Sequence, residues 1–262
     1  MFYAIAKNKI DLRGYRFEHR LEDIQTLNER AMRGELHISA ISIHAYAYVA
    51  DKYALLPCGA SMGDGYGPLV VAKKSNAPDD VDLRECLIAV PGKMTSAFLA
   101  LRLYLGDFKH VVVPFDEIFD AINRGEADAG LIIHEGQLTY AKSGFEKVVD
   151  LGEWWKQKTG LPLPLGGNVI RKDIPLDIRH DLLEIMRESI DYGLEHRAEG
   201  VAHSMPYARD MDEPLASKFI GMYVNDFTRD YGESGRAAIR TFLGDAQRAG
   251  YIDNLTEIEF AE

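Results

Sequence analysis

The sequence predicts an α/β protein of two lobes, with mostly parallel sheets flanked by helices, and three observations carry that expectation. Short apolar runs typical of buried strands alternate along the chain with amphipathic stretches of helical period. Three of these runs, at 87–90, 111–113 and 129–133, are separated by helical connections, the pattern of a parallel sheet with right-handed crossovers. At 262 residues and 47% hydrophobic content the chain is long enough for two cores. A crossing between lobes is placed in or just after the charged loop at 74–84, so that 1–86 with 193–262 forms a larger, discontinuous lobe, 87–192 a smaller one, and a cleft lies between them.

The elements follow in order. Residues 1–8 read as a helix, whereas an alternating chain of this class normally opens on a strand; a first strand and its loop are expected and are absent from the sequence. Tyr15, Phe17, His19 and Leu21 alternate with charged residues at the period of a half-buried strand. Asp23 can cap a helix carrying Ile24, Leu27 and Ala31 that stops at Gly34. Residues 36–41 form the next strand, and Ser42 opens a helix through His44, Tyr46 and Val49. The cluster Gly59, Gly63, Gly65 and Gly67 lacks the context of a dinucleotide site and is read as a mobile loop or hinge before a strand at 68–73. Helices are expected at 95–105 and 115–123, and a strand near 168–171 after a Pro/Gly-rich segment at 160–167. Three amphipathic helices finish the chain. Their stripes are Ile178, Leu182, Ile185, Met186 and Ile190; then Leu215, Phe219, Met222, Tyr223 and Phe227; then Ile239, Phe242, Leu243 and Ala246.

Composition excludes several classes. A net charge of −11 argues against a nucleic-acid partner, which would need a clustered basic face. No segment has the apolar length of a membrane span. Cys58 and Cys86 are the only cysteines and neither makes a CxxC or zinc-spaced pair, so no metal site is expected and a reducing cytoplasmic setting fits.

Three segments could line the cleft. In 37–46 a strand runs directly into a helix at Ser42, and the unsatisfied amides of a helix start suit a carboxylate; Ser42 acting only as a cap fits the pattern equally. In 90–97 a strand breaks at Pro91-Gly92 and a helix opens with Thr95 and Ser96, without a phosphate-loop pattern, so a small carboxylate is favoured over a nucleoside triphosphate. The third is Ile133-His134-Glu135, which ends the run Ala129-Gly130-Leu131-Ile132 and turns at Gly136. Ligands of open α/β sheets collect beyond the carboxyl ends of strands, and an imidazole there can exchange protons near neutral pH. By position alone His134 reads more readily as a hydrogen-bonded structural residue than as a catalytic one. Glu135, on the opposite side of an extended chain, is expected to be solvated. Trp154 and Trp155 are read as packing.

At whole-chain level the stretches 22–28, His44-Ala45-Tyr46-Ala47-Tyr48, 65–71, 129–136, and 149–155 through 159–166 closely resemble the 1,4-dihydroxy-6-naphthoate synthase family of the futalosine route to menaquinone. The resemblance implies a two-lobed fold like type 2 periplasmic binding proteins and a lyase acting on cyclic dehypoxanthinylfutalosine, with no cofactor and no metal. It implies His134 as proton acceptor, and substrate contacts at Ala40, Ile41 and Ser42 and at Ser96 and Ala97. One departure stands out: Ala40 occupies a position where the family usually carries lysine. Two other readings remain open here, a solute-binding protein for a small carboxylate without chemistry and the chorismate dehydratases of the same route.

Overall fold

A computed structural model describes residues 1–74, 82–208, 211–253 and 257–261. The chain opens on α1 (Tyr3–Ala6) and α2 (Ile24–Met32), the latter capped by Asp23, whose carboxylate accepts from the amides of Gln25 and Thr26 at 3.0 and 3.1 Å. The alternating segment 15–21 is not a strand. Tyr15 and Phe17 are half-buried against the cluster that contains Leu182, Ile185 and Met186, so the alternation records a chain laid along a helix and not a sheet.

The first sheet holds β1 (Ile38–Ser42), β2 (Tyr53–Leu55), β3 (Ser61–Gly63) and β9 (Leu163–Arg171), with β9 in the middle. Within the segment 160–167, expected to precede the strand, residues 163–167 supply the first half of β9; Pro164 lies where the β3–β9 register shifts, a place that tolerates a missing donor. The second sheet has the order β6-β5-β7-β4-β8, from β4 (Leu69–Lys73), β5 (Ile88–Val90), β6 (His110–Val112), β7 (Ala129–Ile132) and β8 (Phe145–Asp150). The helices between them are α3 (Ile43–Tyr46), α4 (Ser96–Leu105), α5 (Ile118–Asn123), α6 (Gly136–Thr139) and α7 (Leu151–Thr159).

The sheets are mixed, which corrects the expectation of mostly parallel strands. Among the named strands β5 pairs in parallel with β6 and β7, while β4 runs antiparallel to β7 and β8, and β9 antiparallel to β1, β2 and β3. The strands by which the chain enters the second sheet and returns to the first oppose their neighbours. Sheet membership also moves the crossings: β4 precedes 86 yet belongs to the second sheet, and β9 precedes 192 yet belongs to the first. Residues 75–81, within the loop where the first crossing was expected, lie outside the described residues. The glycine cluster at 59–67 makes that passage instead as a close-packed turn. A Cβ on Gly63 would lie 2.0 Å from the Tyr66 carbonyl oxygen, and one on Gly67 2.9 Å from the Gly152 amide.

One continuous core joins both sheets, from Ile41, Leu55 and Val169 to Val90, Leu131 and Trp155. Trp155 is packing, as expected: its Nε1 donates to the Pro162 carbonyl at 3.1 Å and its ring meets Phe242 edge-on at 5.4 Å. Beyond β9 come α8 (Leu176–Glu195), α9 (Arg197–Ser204), α10 (Glu213–Tyr223), α11 (Asp226–Arg229) and α12 (Gly232–Arg248). The stripes of α8 and α12 are buried as expected, except that Ile178 is half-buried. The single helix expected to carry Leu215, Phe219, Met222, Tyr223 and Phe227 is split at Val224 because Asn225 starts a new capping box, and of α10 only Ala216 is fully buried.

This topology puts several elements at one edge of the second sheet. Leu69 pairs with Ile132 and with Asp150, so the start of β4 adjoins the carboxyl ends of β7 and β8, and β5 ends at the same edge.

Candidate active site

Two strand-to-helix turns meet directly. The Ser42 amide donates to Asn28 Oδ1 at 2.8 Å, and Asn28 Nδ2 donates to Ser42 Oγ at 3.0 Å and to the Met94 carbonyl at 3.4 Å. The His44 amide donates to Ser96 Oγ at 3.1 Å, and that hydroxyl donates to the Leu165 carbonyl at 2.6 Å. Residues from β1, α2, α4 and β9 are thereby tied into one cluster. Thr95 caps α4, its Oγ1 accepting from the Phe98 amide at 3.1 Å; Ser42 makes no side-chain cap on α3. The choice left open for Ser42 is settled against simple capping.

The same geometry revises the expected carboxylate anchor. The Ser42 and His44 amides at the start of α3 are already donated within the protein. The polar groups gathered here are instead the Asn28 amide and the hydroxyls of Ser42 and Ser96, beside the first turn of α4, whose amides lack intrahelical acceptors. Ile41 and Ala97 are buried, and Ala40 is half-buried opposite Asn168 in the β1–β9 register. Asn28 was missed as a contact. Its signal was a polar residue on the buried side of a helix whose other inward positions are Ile24, Leu27 and Ala31.

His134 stands just past β7 and is held by a different set of groups. Its Nδ1 accepts from the Gly136 amide at 2.9 Å, which places the proton of the neutral ring on Nε2. Glu135 Oε2 lies 3.8 Å from Nδ1, so Glu135 belongs to the imidazole's surroundings and its expected solvation is corrected; the tight turn at Gly136 folds the carboxylate back. Phe115 and Phe119 present ring contacts at 5.6 and 6.0 Å. No side chain fits at Gly136, where a Cβ would lie 2.7 Å from His134 Cε1 and 2.9 Å from Phe119 Cε2.

The turn that follows is gripped from the other end of the chain. Tyr223, at the end of α10, donates to Gln137 Oε1 at 2.6 Å, and Gln137 Nε2 donates to the Ile132 carbonyl at 3.4 Å. Burial pushes the Tyr223 phenol far above its ordinary range, so it stays a donor. Tyr66 meets the Tyr223 ring at 5.9 Å and donates to the Met222 carbonyl. Sequence reasoning placed Tyr223 in a core stripe and missed Gln137, because nothing local announces a contact across 86 positions. At the same edge Asp150 caps α7 through the amides of Gly152 and Glu153, and burial raises its carboxyl despite those bonds.

Among the described residues no three His, Cys, Asp or Glu side chains converge as a metal-holding group, and no helix is long and apolar enough to cross a membrane. Cys58 is buried, which pushes its thiol up to about 12, and neither cysteine is bonded to another.

The family described as menaquinone biosynthesis matches residues 1–248. A protein of Thermus thermophilus named 1,4-dihydroxy-6-naphthoate synthase is 38% identical over 250 residues, covering 95% of this chain and 90% of its own. One of the same name from Streptomyces coelicolor is 39% identical over 239 residues, covering 89% and 83%. Among solved structures, a protein of Archaeoglobus fulgidus superposes with a TM-score of 0.90 at 45% identity, over 96% of this chain and 93% of that one. The ligand-binding component of an ABC-type import system from Staphylococcus aureus superposes at 0.67 with 12% identity, over 96% and 89%, a likeness of fold alone. The expected two-lobed, binding-protein-like α/β fold is thus the fold of the molecule.

Proposed function

The chain belongs to the menaquinone-biosynthesis family, and on that premise we propose that it is a carbon–carbon lyase forming 1,4-dihydroxy-6-naphthoate from cyclic dehypoxanthinylfutalosine. The observation that carries this reading is the identity of 38% to a synthase of that name across 95% of the chain. The fold likeness to import-system binding proteins does not favour a binding role, because it comes at 12% identity.

In this reading His134 is the general base. It takes a proton from the bound substrate, the sugar-derived part fragments away, and aromatisation of the bicycle supplies the driving force. The ring needs an unprotonated nitrogen for that step. In the structure Nδ1 holds the Gly136 amide, so a base at Nε2 requires the proton to move to Nδ1, where Glu135 Oε2 at 3.8 Å is the acceptor that would receive it. Glu135 then acts as a positioning residue for the reactive tautomer.

The substrate carboxylate is assigned to the Ser42 hydroxyl and the first-turn amides of α4 at Ser96 and Ala97, held in place by Asn28 and the Ser96 hydroxyl, whose own donors are engaged, beside Ala40 and Ile41. Ala40 brings no cation, so neutral donors carry the recognition. The same reading places the protein in the cytoplasm, which the unbonded Cys58 and Cys86 fit.

The test is direct. The purified chain is incubated with cyclic dehypoxanthinylfutalosine and the mixture is followed by mass spectrometry. Stoichiometric appearance of 1,4-dihydroxy-6-naphthoate supports the reading; tight binding with the substrate recovered unchanged refutes it in favour of a binding protein.

A further inference from the structure

A cavity of about 350 Å³, lined by none of Ser42, Ser96 or His134, opens between α3, α4 and Tyr251. Its volume is that of a small-molecule site. His44, only 4% exposed, is part of its lining. Its Nδ1 lies 3.3 Å from the Thr95 carbonyl, which makes Nδ1 the donor and Nε2 an acceptor; Nε2 is buried and takes no hydrogen bond from a donor among the described residues. Burial and the nearby Arg102 charge lower the imidazole to about 4, so the ring is neutral at working pH and the acceptor persists. A buried acceptor in a cavity wall asks for a hydroxyl.

In the same lining the Arg102 guanidinium lies 3.8 Å from the centre of the Tyr251 ring and 2.6 Å from Asp107 Oδ1. Asp107 is 84% exposed, and an ion pair so open contributes little, so an incoming carboxylate can replace it on the planar fork of the arginine. Lys93 adds a second positive charge to the lining. Phe98, Phe108 and His110 also line the cavity, with ring centres 5.1 to 5.6 Å apart, and give it an aromatic wall that can receive a ring system.

We propose that this cavity binds a planar aromatic carboxylate carrying a distal hydroxyl, with the carboxylate on Arg102 and the hydroxyl donating to His44 Nε2. The main chain of His44 donates to Ser96 Oγ at 3.1 Å, so an occupant acts on the residue that ties α3 to the start of α4. The product of the proposed reaction has this chemistry, and the cavity then serves feedback by product; that last role rests on the function proposed above, whereas the binding site does not.

The probe is 6-hydroxy-2-naphthoate, titrated into the full chain and soaked into crystals. The expected result is density in this cavity and binding weakened at least tenfold by Arg102→Gln, with Arg102→Lys intermediate and Ser42→Ala without effect. Equal affinity in Arg102→Gln, no binding, or density confined to the cleft overturns the proposal. In turnover, 1,4-dihydroxy-6-naphthoate is expected to inhibit wild type non-competitively and Arg102→Gln competitively, with the uninhibited rate unchanged. Competitive inhibition of wild type overturns the feedback role. Absence of turnover refutes the proposed function instead and leaves the naphthoate titration to decide the site.

Discussion

The Gly136 amide donates to His134 Nδ1 at 2.9 Å while Glu135 Oε2 waits 3.8 Å from the same nitrogen. Three consecutive residues therefore offer one ring nitrogen two exclusive partners, a donor and an acceptor. The choice between them sets which nitrogen of the imidazole carries the proton. If the Glu135 partner is the working one, Glu135→Gln lowers kcat by about 10-fold or more and leaves KM nearly unchanged, because a neutral amide stabilises imidazolium less. Steady-state kinetics on the variant checks this; an unchanged kcat removes Glu135 from the mechanism.

Gly136→Ala would place a methyl group 2.7 Å from His134 Cε1 and 2.9 Å from the Phe119 ring. Overpacking of this kind costs about 1–3 kcal/mol, and here the strain falls on the imidazole. Urea unfolding is expected to show that loss, and turnover a larger one, of about 100-fold, because ångström displacements of a reacting group are costly. A variant with wild-type turnover would show that the ring position is not critical.

Tyr223→Phe deletes the donor 2.6 Å from Gln137 Oε1 and leaves a buried acceptor unsatisfied. The expected cost is about 1–3 kcal/mol in denaturant unfolding. Because Gln137 also holds the Ile132 carbonyl next to the His134 turn, kcat is expected to fall together with stability. Stability within error of wild type would contradict the grip described for α10.

Asn28→Ala removes the partner of both the Ser42 amide and the Ser42 hydroxyl. KM for substrate is expected to rise more than kcat falls, since this cluster is assigned to binding. The converse pattern in steady-state kinetics would move Asn28 into the chemistry.

Acid sensitivity follows from His44. The unfolded imidazole takes a proton near 6.5 and the folded one only at about 4, so the unfolded chain binds more protons between those values. Stability is full above 6.5 and falls as pH drops toward 4, by roughly 3 kcal/mol over the window. His44→Gln should flatten that part of the stability profile measured by urea titration across pH. An unaltered acid limb would show that His44 does not produce it.

What was legible in the sequence is what short-range physics controls. Asp23 and Thr95 cap their helices where side-chain chemistry favours it, and the short apolar run ending at Ile132, bounded by Asp128 and the Gly136 turn, is a buried strand as its length suggests. Strand direction was legible only where helical connections join successive strands: β5, β6 and β7 are parallel as expected, whereas β4 and β9, for which a buried run looks alike in either sense, are antiparallel and make the sheets mixed. The alternation at 15–21 misled because half-burial against α8 leaves the same period as half-burial in a sheet. In the site, the strand-end position of His134 and the two hydroxyl-bearing turns could be read locally. Gln137, Tyr223 and Asn28 could not, because their roles exist only when segments remote in sequence meet.

The central claim is that His134 performs the proton transfer. It is tested by single-turnover formation of 1,4-dihydroxy-6-naphthoate from cyclic dehypoxanthinylfutalosine by wild type and His134→Ala, with folding of both verified by circular dichroism. The account predicts a folded variant slower by about 100-fold to 10,000-fold. A folded His134→Ala that forms product at near the wild-type rate would contradict it.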